Sequence, residues 1–188
     1  MPLIYRGSWD EAEWAVWKIA ESEEQLWDLS RLSAEEAAHI GQITHERRRK
    51  ESLAARAARA MLSSSGFYSL SHSYPWAAAI SAPYPVAIDI ERLRPFPAGV
   101  CEYFMHPSEK ERFMNENISI WKVWCSKEVA YKILSSKFDS LSFRHDLLFL
   151  GERVVSMKSG GSCEIGLAFF HGEGWLMAVG RVESPEKS

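Results

Sequence analysis

The chain is poor in cysteine. Its 188 residues contain only three, Cys101, Cys125 and Cys163, which lie far apart and form no C-x-x-C pair. An odd and scattered set of cysteines argues against a disulfide framework or a structural zinc site, and it is typical of a reducing compartment. We therefore expect a cytoplasmic protein.

Long apolar runs are also missing from the sequence. No segment approaches the about 20 apolar residues of a membrane-spanning helix, and the first residues, Met1 to Arg6, lack the pattern of a signal peptide. The net charge of −3 does not indicate a general nucleic-acid binder. We expect neither a membrane nor a nucleic acid as a partner.

The remaining pattern divides the chain into two halves with similar predicted elements. Each half contains one long predicted helix, over about 44–63 in the first and 118–134 in the second, beside several short strands. Pro95 and Pro97 break the chain between the halves. The pattern predicts an α+β protein in which each long helix accompanies a few antiparallel strands.

Shorter elements are predicted around the long helices. Capping-box patterns, in which Ser22 precedes Gln25 and Ser33 precedes Glu36, indicate the starts of two short helices. Strands are predicted over 14–19, 69–72, 76–81 and 85–91, and a β-meander is predicted from about 143. We expect the tryptophans of the first half to fill its core: Trp9, Trp14, Trp17, Trp27 and Trp76.

An acidic segment in the first half is the first part of the strongest functional signal. Side chains alternate along a strand, so Asp89 and Glu91 share one face of the predicted strand 85–91. Ile88 and Ile90 then point to the opposite side, toward a core. The strand therefore presents two carboxylates in the same direction.

A second acidic segment follows about 35 residues later, in the second long helix. Residues four apart share a helix face, so Trp124, Glu128 and Lys132 form one stripe. Three carboxylates from a strand and a helix suit Mg²⁺, which takes oxygen ligands and keeps positions for water or phosphate. The two segments together predict a magnesium site.

These segments resemble motifs of the 4′-phosphopantetheinyl transferases, in particular of their longer, Sfp-type branch. That family shows a Ser-His-Ser, a G-I-D-[IV]-E strand and a W-x-x-K-E-[AS]-x-x-K helix, which here correspond to 71–73, 87–91 and 124–132. Phe104 and Glu109 further match an F-F-x-x-x-E segment. The resemblance covers about residues 40–180, and three motifs in order are far more specific than any one of them.

The resemblance implies a fold of two similar α+β lobes related by a pseudo-twofold. Each lobe has a long helix packed on a small antiparallel sheet, and the active site lies between the lobes. For this chain it implies an N-terminal lobe over 1–92 and a C-terminal lobe over 93–188, which together form one compact two-lobe domain. It also implies a monomer, since one chain supplies both lobes.

The activity implied by the resemblance is Mg²⁺-dependent transfer of the 4′-phosphopantetheine arm of coenzyme A. The acceptor is a serine of an apo acyl or peptidyl carrier protein, and 3′,5′-ADP is released. Asp89, Glu91 and Glu128 would bind the metal. Glu128 is also the candidate base, and Lys132 would stabilise charge on the departing 3′,5′-ADP.

The resemblance further implies a set of contacts to coenzyme A. The phosphate ligands would be Ser71, His72, Lys127 and Lys132, with Arg47 and Lys50 from the basic run at the start of the first long helix. The remaining basic residues of that helix are expected on its polar surface. Glu109 would assist the metal or orient Lys132, or it is an ordinary acid at a helix start.

Three departures from the family pattern keep alternatives open. Ala87 replaces a glycine, Ser135 and Ser136 stand where a glycine often follows the helix, and residues 61–70 lack a Gly-Lys-Pro segment that helps hold coenzyme A. A weakened homologue that binds coenzyme A or a carrier protein without efficient transfer is therefore one alternative. A metal-dependent phosphohydrolase is another. The pathway, whether of fatty-acid, polyketide or nonribosomal peptide synthesis, stays open.

Overall fold

The chain consists of two compact units, residues 1–92 and residues 93–188, named here the N-terminal unit and the C-terminal unit. The computed structural model describes residues 3–63, 66–97, 99–113, 117–158 and 163–183. Both units combine helices with antiparallel strands, which confirms the predicted α+β fold class.

The N-terminal unit contains a four-stranded antiparallel sheet with the strand order β1-β2-β4-β3. Its strands are β1 (Leu3–Trp9), β2 (Ala12–Lys18), β3 (Phe67–Ser73) and β4 (Trp76–Ala82). The sequence did not predict β1, because Arg6, Gly7 and Ser8 interrupt its apolar pattern. It forms by pairing along its whole length with the more apolar β2.

Three helices follow the first two strands: α1 (Glu23–Ser30), α2 (Ala34–Gly41) and α3 (Glu46–Arg59). Both predicted capping boxes are present, one between Ser22 and Gln25 and one between Ser33 and Glu36. The helix α3 is shorter at both ends than the predicted 44–63. Its buried side is rich in alanine, which lets it pack closely on the small side chains of β4.

The tryptophan prediction holds for three of the five residues. Trp14, Trp17 and Trp76 are buried, whereas Trp9 and Trp27 are half-buried. The strand β5 (Val86–Arg92) completes the unit and packs against β3 and β4. This packing brings the acidic strand beside the Ser-His-Ser segment of β3.

The C-terminal unit contains helices α4 (Cys101–Phe104), α5 (Pro107–Phe113) and α6 (Asn117–Leu134). The predicted meander consists of β6 (Leu147–Phe149), β7 (Arg153–Ser156), β8 (Glu164–Gly172) and β9 (Trp175–Val182), paired consecutively and antiparallel. The helix α6 packs against β9, where a Cβ at Gly180 would lie 2.7 Å from the Val129 side chain. A glycine is therefore needed for this close approach. In the described part of the chain, no helix has both the length and the apolar character to cross a membrane.

Candidate functional site

Asp89 and Glu91 lie on the same side of β5, as the alternation predicts. Ile88 and Ile90, on the other side, are 0% and 1% exposed. Asp89 is nevertheless buried as well, at 6% exposed, while Glu91 at the end of the strand is half-buried. A buried carboxylate is costly unless hydrogen bonds replace its lost water, so its partners are informative.

Two serines of β3 bind these carboxylates. The Ser71 hydroxyl donates to Oδ1 of Asp89 over 2.9 Å, and the Ser73 hydroxyl donates to Oε2 of Glu91 over 2.6 Å. Ser71 also accepts the backbone N–H of Ile90 at 3.2 Å. The hydroxyl proton of the buried Ser71 is thus used by Asp89, and the coenzyme A contact of Ser71 stays a prediction.

Ser73 was missed by the sequence reasoning. The sequence does contain a pattern that indicates its role. Alternate serines in β3 share one face of the strand, and alternate acids in β5 do the same. What the sequence does not give is the relative register of the two strands, which decides that each serine meets a carboxylate.

On the opposite face of β3, His72 belongs to a second polar cluster. Its Nδ1 lies 3.3 Å from Oε2 of Glu51, and Oε1 of the same carboxylate accepts a 3.2 Å bond from Nε of Arg47. The Arg47 guanidinium also lies over the Tyr74 ring, at 4.6 Å from its centroid. Two predicted phosphate ligands, His72 and Arg47, are therefore brought together by Glu51, which the sequence analysis did not select.

Arg49 and Lys50, further along α3, lie near Glu23 of α1. Arg49 forms a two-point ion pair with Glu23, with N–O distances of 2.6 and 2.9 Å. This hydrogen-bonded pairing lowers the pKa of Glu23, and the charge of Lys50 acts in the same direction. Lys50 is half-buried. Its effect on the pKa of Glu23 indicates that its charge lies near that carboxylate.

Arg56 and Arg59, near the end of α3, share one carboxylate of α2. Their guanidinium groups bind Glu36, with distances of 3.2 Å from Arg56 and 2.8 Å from Arg59. The hydrogen bond from Arg59 is the main reason why the pKa of Glu36 is lowered to about 2. Several basic residues of α3, which were expected on its polar surface, thus form ion pairs that attach the neighbouring helices.

Glu128 and Lys132 lie one turn apart on one face of α6, and both are half-buried. Trp124, one turn before Glu128, packs edge-on against Phe104 at 5.2 Å and also contacts Phe143 at 5.8 Å between ring centroids. These aromatic contacts fix the rotation of α6 about its axis. The stripe predicted from the spacing of these three residues is therefore present in the helix.

Lys127, the residue before Glu128, is fully buried. Its ammonium donates to Oε2 of Glu109 at 2.7 Å and to the carbonyl oxygens of Phe104 at 2.8 Å and Phe143 at 2.7 Å. A lysine has three donors, and all three are used here. These bonds connect α6 with other parts of the C-terminal unit, and the coenzyme A contact of Lys127 stays a prediction.

Glu109 is the centre of this buried cluster, and it binds Lys127 and two backbone N–H groups. Its Oε2 accepts the backbone N–H of His106, and its Oε1 accepts that of Phe149, both over 2.7 Å. Burial lowers the pKa of Lys127, and the ion pair with Glu109 opposes that shift. Glu109 therefore connects the start of α5 with α6 and β6.

The donor chemistry of β5 fits a hard cation, since Asp89 and Glu91 offer carboxylate oxygens, which Mg²⁺ prefers. Among the residues that the structure describes, no group of three or more His, Cys, Asp or Glu side chains has the arrangement of a metal site. The pair on β5 is therefore a partial ligand set that needs further donors.

One comparison with known families bears on these residues. Residues 85–164 match the model of the 4′-phosphopantetheinyl transferase superfamily. The matched segment begins just before β5 and includes Asp89, Glu91, Glu109, Glu128 and Lys132, while α3 and β3 lie outside it. No curated protein matches the chain. The match supports phosphopantetheine transfer as the general activity and coenzyme A as the substrate.

Proposed function

We propose that this chain is a holo-carrier-protein synthase of the Sfp type. It transfers the 4′-phosphopantetheine arm of coenzyme A to a serine of an apo acyl or peptidyl carrier protein. The serine oxygen forms a bond to the β-phosphorus of coenzyme A, and the bond from that phosphorus to the bridging oxygen breaks. The departing 3′,5′-ADP takes the electron pair, and the serine proton passes to a base.

The metal in this proposal is Mg²⁺, with Asp89, Glu91 and Glu128 as its protein ligands. When bound, it supplies positive charge that neutralises the diphosphate and polarises the phosphorus under attack. Carboxylate oxygens beside phosphate oxygens and water are the usual surroundings of Mg²⁺. In this proposal, Glu128 of α6 adds a third carboxylate to the partial ligand set of Asp89 and Glu91 on β5.

The other residues of the proposal bind phosphate or move the proton. Glu128 accepts the serine proton, directly or through a water molecule. Lys132, one turn further along α6, stabilises the negative charge of the departing 3′,5′-ADP. His72, Lys50 and Arg47 bind phosphate groups of coenzyme A, and the planar guanidinium of Arg47, whose side chain is 58% exposed, suits two-point phosphate binding.

The observation that carries the proposal is that one matched segment contains both acidic motifs. Residues 85–164 include the carboxylate pair of β5 and the Glu128-Lys132 stripe of α6. Either motif alone can occur by chance in a protein, without any role in function. Their order and spacing within a single family match support a shared chemical role.

The proposal is tested by mass spectrometry of a panel of apo carrier proteins. Each carrier is incubated with the full chain, coenzyme A and Mg²⁺, beside reactions without Mg²⁺ and reactions with Asp89→Asn. The expected result is a mass gain of one phosphopantetheine arm on at least one carrier, lost in both controls. A gain that persists without Mg²⁺ and in Asp89→Asn would contradict the metal assignment.

A weakened homologue is the second candidate, because residues 61–70 lack the Gly-Lys-Pro segment named above. Such a protein would bind coenzyme A in a calorimetric titration and modify none of the carriers. Release of 4′-phosphopantetheine without any acceptor would instead favour a phosphohydrolase. The reaction mixtures and the titration together distinguish the three functions.

A further inference from the structure

Three serines on one face of β3 form a row of hydroxyls along β5. They are alternate residues, so their side chains point the same way. Each hydroxyl accepts one backbone N–H of β5, and the pairs are Ser69 with Ile88 at 3.3 Å, Ser71 with Ile90 at 3.2 Å, and Ser73 with Arg92 at 3.2 Å. The row, named here the serine row, gives the three serines the same contact with the backbone of β5.

Only two members of the serine row also meet a carboxylate. Ser71 donates to Asp89 and Ser73 donates to Glu91, and each acid is the residue just before the N–H that the serine accepts. At the corresponding position for Ser69 the chain has Ala87. The row therefore contains two serines that contact acids and one that serves only the backbone.

The double role of Ser71 and Ser73 has a physical consequence for the acids. A hydroxyl that accepts an N–H is polarised and becomes a better donor to the carboxylate. Since a hydroxyl is neutral, it restricts the rotation of the carboxylate without cancelling its charge. Groups of this kind, placed behind metal ligands, orient the ligands and affect metal affinity.

We propose that Ser71 and Ser73 are positioning residues, which hold Asp89 and Glu91 in the orientation that binds a divalent cation. This inference rests on the proposed function, because it assumes that the two acids are metal ligands. It assigns to the serines of the Ser-His-Ser segment a role toward the metal, whereas His72 between them faces the other cluster, with Glu51.

The test is a titration of the full chain with Mn²⁺, followed by electron paramagnetic resonance, with and without coenzyme A. Ser73→Ala and Ser71→Ala are expected to weaken Mn²⁺ binding about 10-fold each. Ser69→Ala is the matched control, since it removes the same backbone contact without touching an acid, and should change the affinity less than about 2-fold. Ser73→Thr retains a hydroxyl and should bind Mn²⁺ nearly as well as the wild type.

The outcomes separate the positioning role from the metal site itself. Suppose first that Asp89→Asn abolishes Mn²⁺ binding, so that the metal site is present. The positioning role is then overturned if Ser69→Ala and Ser73→Ala weaken Mn²⁺ binding equally. It is also overturned if neither Ser71→Ala nor Ser73→Ala weakens Mn²⁺ binding. If the wild type binds no Mn²⁺, or Asp89→Asn leaves binding unchanged, the proposed metal site fails and the inference fails with it. Thermal unfolding of each variant checks the fold, and the half-buried Ser73 decides the question if Ser71→Ala does not fold.

Discussion

Two nearly buried carboxylates, one from each unit, are held in different ways. Glu109 in the C-terminal unit is 1% exposed and binds the Lys127 ammonium and two backbone N–H groups. Asp89 in the N-terminal unit is 6% exposed, and it accepts the hydroxyl of Ser71. The Lys127 cation thus pairs with Glu109, and the neutral hydroxyl of Ser71 helps to orient Asp89.

This difference distinguishes a structural acid from an acid that is suited to bind a ligand. In a buried ion pair, each charge compensates the burial of the other, and removing one partner leaves an uncompensated charge. A hydroxyl leaves the negative charge of the carboxylate in place, where it attracts a cation. The comparison is most useful in the helix motif, where the buried Lys127 pairs with Glu109 and the next residue, Glu128, is a proposed metal ligand.

The largest expected effect is on stability, through Lys127. Lys127→Met leaves the Glu109 carboxylate buried without its cation, so we expect a loss of about 3–5 kcal/mol in the free energy of unfolding. Urea unfolding at pH 7 measures it. Lys137→Met, at an exposed position after α6, is the control and should cost less than about 0.5 kcal/mol. A loss for Lys127→Met as small as that of the control would show that the pair is not structural.

The opposite behaviour is expected at Asp89. Asp89→Asn keeps the shape of the side chain and an oxygen that accepts from Ser71, but it removes the charge. Groups that only orient metal ligands contribute up to about 100-fold. Because Asp89 is itself a proposed ligand, we expect its loss to lower kcat/KM for carrier modification at least about 100-fold, with folding retained. The loss of kcat/KM is measured with the carrier that shows the mass gain. Full activity in this variant would make Asp89 a structural residue like Glu109.

The sequence predicted the local parts of both regions and missed their long-range contacts. The shared face of Asp89 and Glu91 follows from the alternation of a strand, and the stripe of Glu128 and Lys132 follows from the helical repeat. Both depend only on neighbours in the chain. The capping boxes of α1 and α2 were predictable for the same reason.

The intramolecular contacts of Lys127 and Ser71 were missed because they depend on tertiary structure. The partners of Lys127 are 16 to 23 residues away, and Ser71 meets an acid 18 residues away. No periodicity in the sequence reports whether a lysine in a helix faces a buried carboxylate or the solvent. A family motif gives the position of such a residue but not the direction of its side chain.

Glu36 is an intermediate case, a carboxylate neutralised by Arg56 and Arg59 near the surface. Its pKa is lowered from 4.5 to about 2, so its contribution to stability is complete above about pH 4.5 and is lost as the pH falls toward 2. Since the side chain is partly exposed, we expect Glu36→Gln to cost about 1–2 kcal/mol at pH 7. Urea unfolding at pH 7 and pH 3 should show the difference from the wild type shrinking at the lower pH.

The exposed neighbour Glu35 provides the control for that experiment. Glu35→Gln should change the free energy of unfolding by less than about 0.5 kcal/mol at either pH. If Glu36→Gln costs the same at pH 3 as at pH 7, the ion pairs do not produce the stabilisation.

The smallest expected effect concerns Arg47, one of the two basic residues of α3 that are proposed to bind phosphate. Its ion pair with Glu51 is largely exposed on the arginine side, and such pairs contribute only about 0–1 kcal/mol to stability. Arg47→Ala should therefore unfold close to the wild type, while the KM for coenzyme A rises about 5-fold because a charged hydrogen bond to phosphate is lost. Arg48→Ala, exposed on the same turn, should leave the KM unchanged. A stability loss without a change in KM would place Arg47 with Arg49 and Arg59, as a residue that attaches helices rather than one that binds phosphate.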